Sequence, residues 1–179
     1  KRSSNYNIFA QKIDSNGSAK WTANGVTVCS DTDLHMGPFI CIDGSGGAYI
    51  AWYNGSLPYT TLAQRVDSSG TVKWTTNGKT IGPGKYNKIC SDGVGGAIVG
   101  YTYPGPNDTS EGDWNDYVHR VDENGTFKWT TGSFGNPICK AAGEQERFSM
   151  DIDGLGGAVL SWKDARSGKF NVYCQRIDS

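Results

Sequence analysis

The sequence predicts an all-β chain built from repeated four-stranded antiparallel units, and three observations lead there. The 25 glycines, the many Asn, Ser and Thr residues and the 12% aromatic content indicate short strands joined by tight turns. No stretch of about 12 residues carries the 3.6-residue periodicity of an amphipathic helix. The chain also repeats itself. The pattern Q-x-x-D-x-x-G-x-x-x-W starts at Gln11, at Gln64 and, with His in the first place, at His119, and it begins again at Gln175, with spacings of 53, 55 and 56 residues. It alternates with D-G-x-G-G-A from Asp43, Asp92 and Asp153, each followed by an apolar run that ends in Trp or Tyr.

The second copy shows the elements in order. Strand A is "PFICID", closed by a turn whose glycines supply the positive φ that other residues resist. Strand B is "GAYIAW", and a variable loop leads to strand C, "YTTLAQRVD", where Leu62, Gln64 and Val66 alternate with Ala63 and Arg65. The turn "DSSG" then leads to an expected strand D, "TVKW" at 71–74. Asp67 accepts from the turn amides and Gly70 takes the left-handed position, with Asp14 and Gly17, then Asp122 and Gly125, in the same places. The chain divides into a partial unit at 1–30, full units at 31–84 and 85–138, and a partial unit at 139–179, all in one repeat domain.

Four antiparallel strands in about 40 to 55 residues is the period of a β-propeller blade. One such sheet cannot cover both of its faces, so neighbouring units must cover each other. Trp21, Trp74 and Trp129 occupy one equivalent site and are expected to dock each unit on the next.

The whole chain resembles the tandem repeats of bacterial secreted and surface proteins, of the type D-G-x-G-G-A…W-x-D-x-R-x-G…Y-x-Q-R-I-D…G…W…N-G. The nearest copy is "DGLGGAVLSWKDARSGKFNVYCQRID". The hairpin D-x-x-G-x-x-x-W is also similar to the tryptophan-docking motif of quinoprotein propellers and to the Asp-box of sialidases. Its spacing departs from both, and their catalytic residues have no counterpart here. The resemblance implies a propeller-like scaffold and an extracellular or cell-surface location, and it implies no chemistry.

Charge and motifs exclude several functions. With 17 basic and 18 acidic residues and no basic stripe, nucleic acid is not an expected partner. No apolar stretch nears the roughly 20 residues of a membrane helix, and nothing at the N-terminus reads as a signal peptide. The glycine turns lack the following helix that phosphate binding requires. Cys29, Cys41, Cys90, Cys139 and Cys174 are an odd set without C-x-x-C spacing, which speaks against a zinc ribbon. They fit small buried hydrophobes better than a disulfide ladder. A single bridge is the alternative, and the sequence pairs no two of them.

His119 stands where the other copies have Gln, so a strand role is expected. Asp31, Asp33 and His35 alternate at a spacing a metal can use, but the segment joins two repeats and is expected to be a solvated loop, with no metal site. The loop from Pro104 to Tyr117 holds Asp108, Glu111, Asp113 and Asp116, hard oxygen ligands of the kind calcium accepts. It lacks EF-hand spacing, so an acidic surface loop without a cofactor is expected and Ca²⁺ is the alternative. Asp151 is the one carboxylate inside strand A, at the place of Cys41 and Cys90, and one carboxylate is not a glycosidase mechanism.

The expected function is therefore a non-enzymatic extracellular module for structure, adhesion or assembly. A lectin-like role is the alternative, with Trp52, Tyr101, Trp162, Tyr103, Trp114, Asp164 and Arg166 beside the loops after strand B as its ligand-binding residues. Against that, the strand-end aromatics Trp52, Tyr101 and Trp162 suit a sealed core between units better, and Tyr103, Trp114 and Arg166, outside the repeated frame, are the better candidates for exposure. A third reading is an accessory part of a larger secreted enzyme. The strand order C-D, A-B-C-D, A-B-C-D, A-B-C predicts completion by another copy or by the rest of a longer chain, and two copies would give about six blades. Sequons at Asn16, Asn54, Asn107 and Asn124 include two in hairpin turns, where turn chemistry suffices.

Overall fold

The computed structural model describes residues 6–104, 114–129, 134–142 and 145–179. It is all-β, and every strand pairing in it is antiparallel. The first sheet pairs β1 (Ile8–Ala10) with β2 (Val26–Cys29). The second runs β3 (His35–Ile42), β4 (Ala48–Asn54), β5 (Thr60–Val66) and β6 (Lys79–Pro83) in spatial order. The third has β7 (Lys85–Ser91), β8 (Ala97–Tyr103), β9 (Asn115–Val121) and the short β10 (Asn136–Pro137). The fourth has β11 (Gln145–Ile152), β12 (Ala158–Asp164) and β13 (Asn171–Ile177). Each is a simple meander, with strands adjacent in chain order paired side by side. No closed ring forms among the described residues. No helix among them is long and apolar enough to cross a membrane.

The fourth strand of each unit is not the expected one. Residues 71–74 contribute only an isolated bridge, Val66 to Val72, as do Ile13 to Ala19 and Val121 to Phe127. The chain then turns through Asn77 and Gly78, both with positive φ (62° and 96°), and pairs with β5 as β6. Asn24 and Gly25 (68° and 88°) make the same turn before β2. The physical reason is that Trp74 has to leave its own sheet to reach the neighbouring one, which a ladder strand at 71–74 would prevent.

Three bulges also share one place. The register shifts between Met36 and Phe39, between Lys85 and Lys88, and between Glu146 and Ser149. At each, the middle of the bulge has positive φ, at Gly37, Tyr86 and Arg147 (60°, 57° and 56°). A bulge bends its strand and re-aims the side chains beyond it, which here turns the start of strand A toward the preceding sheet.

There is no single core. Ile8, Val28, Cys29, Ile50 and Trp52 pack between the first and second sheets. Tyr49, Ala51, Ile89, Val99 and Tyr101 pack between the second and third. Cys90, Ile98, Phe148, Leu160 and Trp162 pack between the third and fourth. Hydrophobic burial, the main stabilising force, is thus distributed over three inter-sheet layers. Four of the five cysteines lie buried or half-buried, and only Cys174 is exposed.

Candidate functional site: the junctions between sheets

The repeated polar residues serve the backbone. Asp67 Oδ1 accepts from the amides of Ser69 and Thr71, and Asp14 and Asp122 repeat this with residues two and four places on. In the glycine turns, Asp43 Oδ1 accepts from Ser45 and Gly47, while Oδ2 takes the Arg65 guanidinium at 3.0 Å. Asp92 with Arg120, and Asp153 with Arg176, form the same clamp at 2.9 Å. Burial works against the Asp43 charge, yet the Ser45 and Gly47 amides and Arg65 hold its pKa below the usual carboxylate range. Gln64 staples its unit: Oε1 accepts from the Arg65 and Trp74 amides at 3.0 and 2.7 Å, and Nε2 donates to Thr75 O at 2.9 Å. Gln11 does the same with Lys12, Trp21 and Thr22.

The tryptophans cross between sheets. Trp21 Nε1 donates to Ser68 O at 3.1 Å, and Trp74 Nε1 donates to Glu123 O at 2.9 Å. Each indole lies on the turn glycine of the next unit, where a Cβ on Gly70 would come within 2.9 Å of Trp21 and one on Gly125 within 3.2 Å of Trp74. Trp129 is half-buried and packs on the core between the third and fourth sheets.

One position at each junction differs chemically. It lies where strand D of one unit meets the start of strand A and the end of strand B in the next. At the middle junction it is Gly82, and the Tyr101 hydroxyl fills the space, 2.1 Å from where a Cβ would stand, while donating to Phe134 O at 2.7 Å. At the last junction it is Cys139. Arg166 Nη2 lies 2.9 Å from Cys139 Sγ and donates to Asp164 Oδ2 at 2.6 Å. Trp162 Nε1 donates to the same carboxylate oxygen at 2.9 Å. Arg166 and Trp162 together hold the Asp164 pKa far below its ordinary value, although burial opposes this.

At the first junction the position is Cys29, and its surroundings correct the expectation of a solvated loop. His35 begins β3 and is 3% exposed. Its Nε2 lies 3.1 Å from Cys29 Sγ and 2.6 Å from Asp31 Oδ1, and Sγ is 3.6 Å from Asp31 Oδ2. Burial pushes the Cys29 thiol up to about 12. The Trp52 indole stands edge-on to His35, with ring centroids 6.2 Å apart.

The expected ligand-binding residues separate. Trp52 and Tyr101 are wholly buried at 0% exposure, so they seal the junctions and offer no face to a ligand. Trp162, Asp164 and Arg166 do converge, and Trp162 and Arg166 help line a cavity of about 350 Å³ with Cys139, Tyr173 and Gln175. Arg166 also lies 4.1 Å over the Tyr173 ring. Tyr103 stacks on Phe134 at 5.4 Å. Trp114 joins a cluster that sequence reasoning missed: Lys85 Nζ sits 4.6 Å from the Tyr59 ring, 4.8 Å from Tyr86 and 4.6 Å from Trp114. Tyr53 packs edge-on to both tyrosines. These residues come from three strand ends and a loop, and only the pairing of sheets brings them together.

Of the acidic loop, Asp108, Glu111 and Asp113 lie outside the described residues, as does Asn107. Asp116 is fully buried on β9, where its carboxyl accepts from Thr102 and burial raises its pKa to about 6. Its backbone carbonyl accepts from the amide of Ile138, a cavity-lining residue, at 2.8 Å.

No family model, curated protein or solved structure matches the chain. Fold and junctions together define it as an all-β chain of antiparallel sheets with tryptophan docks between sheets.

Proposed function

We propose that this chain is a propeller-like repeat scaffold, non-enzymatic, that works at the cell surface or outside the cell by assembly with another copy of itself or with the rest of a longer chain. The use of the repeated polar residues supports the reading: the Asp, Gln and Arg side chains described above are committed to turns, staples and clamps. The observation that carries the assembly is the open side of the fourth sheet. Among the described residues β13 pairs with β12 alone, whereas β5 and β9 each carry a further strand. Thr61, Ala63 and Gln64 of β5 are fully buried, while their counterparts Val172, Cys174 and Gln175 are exposed. Unpaired strand edges accept strands from other chains.

Light scattering over a range of concentrations tests this. The expected mass is that of two or more chains, returning to one chain on Val172→Lys, a charge of the kind that blocks edges. A single-chain mass at every concentration overturns assembly between copies and leaves the edge to the rest of a longer chain.

The Lys85 cluster favours a second reading, a lectin-like site in which Tyr86, 55% exposed, and Trp114 stack on a sugar ring. Glycan-array binding that survives Tyr86→Ala with Trp114→Ala would refute it.

A further inference from the structure

The three junctions solve one packing problem in three ways, and the first solution is the unusual one. At the middle junction a tyrosine hydroxyl takes the space beside Gly82. At the last, a guanidinium sits against a cysteine sulfur and a carboxylate. At the first, the same cysteine position faces no guanidinium among the described residues. Instead one sulfur, one carboxylate and one imidazole nitrogen converge, with all three ligand atoms within 4.8 Å of one another.

The geometry excludes a nucleophilic relay. In a Cys-His-Asp relay the thiol and the carboxylate address opposite nitrogens of the imidazole. Here both address Nε2, and Nδ1 has no hydrogen-bond partner among the described residues. Cys29 is also 1% exposed, which denies a substrate access to its sulfur. The thiol is itself a donor, to Asp31 Oδ2, and a protonated Nε2 donates to Asp31 Oδ1, so a metal ion takes the place of both protons. A cation satisfies all three lone pairs at once.

We propose that Cys29 Sγ, Asp31 and His35 Nε2 form a divalent-metal site selective for zinc, with the fourth position left to solvent. The donor set is mixed sulfur, nitrogen and oxygen, which suits zinc and excludes the all-oxygen preference of calcium and magnesium. Zinc bonds of about 2.0–2.3 Å spread tetrahedral ligand atoms to roughly 3.3–3.7 Å. The Nε2–Oδ1 and Nε2–Sγ separations, 2.6 and 3.1 Å, therefore have to open by less than about 1 Å. Asp31 is the adjustable member: its side chain is 32% exposed against 1% for His35, and it opens the site to water on that side. The ligands come from β2, the connection and β3, so the ion ties the first sheet to the second. Arg166 makes the corresponding tie to Asp164 and Cys139 with a fixed organic cation.

The test uses cobalt(II) as the spectroscopic probe and zinc as competitor on the full chain. One equivalent of cobalt is expected to give a thiolate-to-cobalt charge-transfer band with tetrahedral visible absorption, both removed by zinc. Cys29→Ser abolishes the charge-transfer band, whereas Cys139→Ser and Cys174→Ser keep it. Asp31→Asn, at a half-exposed position that does not threaten folding, lowers zinc affinity about tenfold or more while retaining the band. Absence of the band, or its persistence in Cys29→Ser, overturns the proposal. Affinity unchanged by Asp31→Asn removes Asp31 from the ligand set and overturns the three-ligand site.

Discussion

Replacing His119 by Gln restores at one repeat the residue that Gln11 and Gln64 supply at the others, and its effect depends on pH in a calculable way. Both ring nitrogens of His119 are buried with no hydrogen-bond partner among the described residues. Burial, helped by the nearby Lys79 charge, lowers its pKa to about 4 from the ordinary 6.5. Above pH 6.5 the ring is neutral in folded and unfolded chains alike. As the pH falls toward 4, the unfolded chain takes a proton that the folded chain refuses, so stability is lost by about 1.4 kcal/mol per unit. Between pH 7 and pH 5 the accumulated loss is roughly 2 kcal/mol, and Gln, which does not titrate, escapes it. At pH 7 the exchange is closer to balanced. The new amide accepts from the Arg120 and Trp129 backbones for about 1 kcal/mol each. It forfeits ring contacts with Phe127 at 4.5 Å and Tyr101 at 6.3 Å, each worth about 0.5–1.5 kcal/mol. Asp116, with its pKa raised to about 6, acts in the opposite sense, adding stability as the pH drops through 6, but it is common to both proteins and cancels in the difference. Urea unfolding at pH 7 and pH 5 reads the result: the advantage of His119→Gln should grow by about 2 kcal/mol. An advantage that is the same at both pH values refutes the assignment of a depressed His119 pKa.

Two further substitutions probe the junctions. Trp74→Ala removes a half-buried indole and its bond to Glu123 O, and should cost about 2–4 kcal/mol in urea unfolding, with Trp74→Phe recovering the apolar part. Gly82→Ala places a Cβ 2.1 Å from the Tyr101 hydroxyl and 2.4 Å from its ring carbon, so it should destabilise by about 1–3 kcal/mol, with a smaller effect when Tyr101 is first shortened to Val.

Turn chemistry and period were readable because they are local. An Asp that accepts from amides two and four residues on needs no distant partner, and the D-x-x-G spacing states it directly. The expected strand at 71–74 failed for a non-local reason. Its alternation looks like a ladder, but Trp74 is drawn to a carbonyl 49 residues away. The signal for the true fourth strand was nevertheless present, in Asn24-Gly25 and Asn77-Gly78, whose positive φ values turn the chain back onto strand C. His35 was singled out but expected in a solvated loop, because its burial depends on the bulge at Gly37, and Tyr86 and Arg147 in the equivalent places conceal that bulge from a search for glycine. Trp52 and Tyr101 looked like ligand platforms because the sequence shows only where a strand ends, not which sheet covers it. Trp162, Asp164 and Arg166 were found together because they are neighbours along one strand and its loop.

The tryptophan dock recognises very little of its partner. Trp21 bonds to the backbone of Ser68 and Trp74 to that of Glu123, residues with nothing in common but a carbonyl, and each indole requires only a glycine beneath it. The dock by itself therefore sets no limit on which unit follows which. The junction fillers obey the opposite rule. Tyr101 leaves room only for a glycine at 82, and Cys139 has Arg166 against its sulfur, so each filler has to match the residue it meets at its junction.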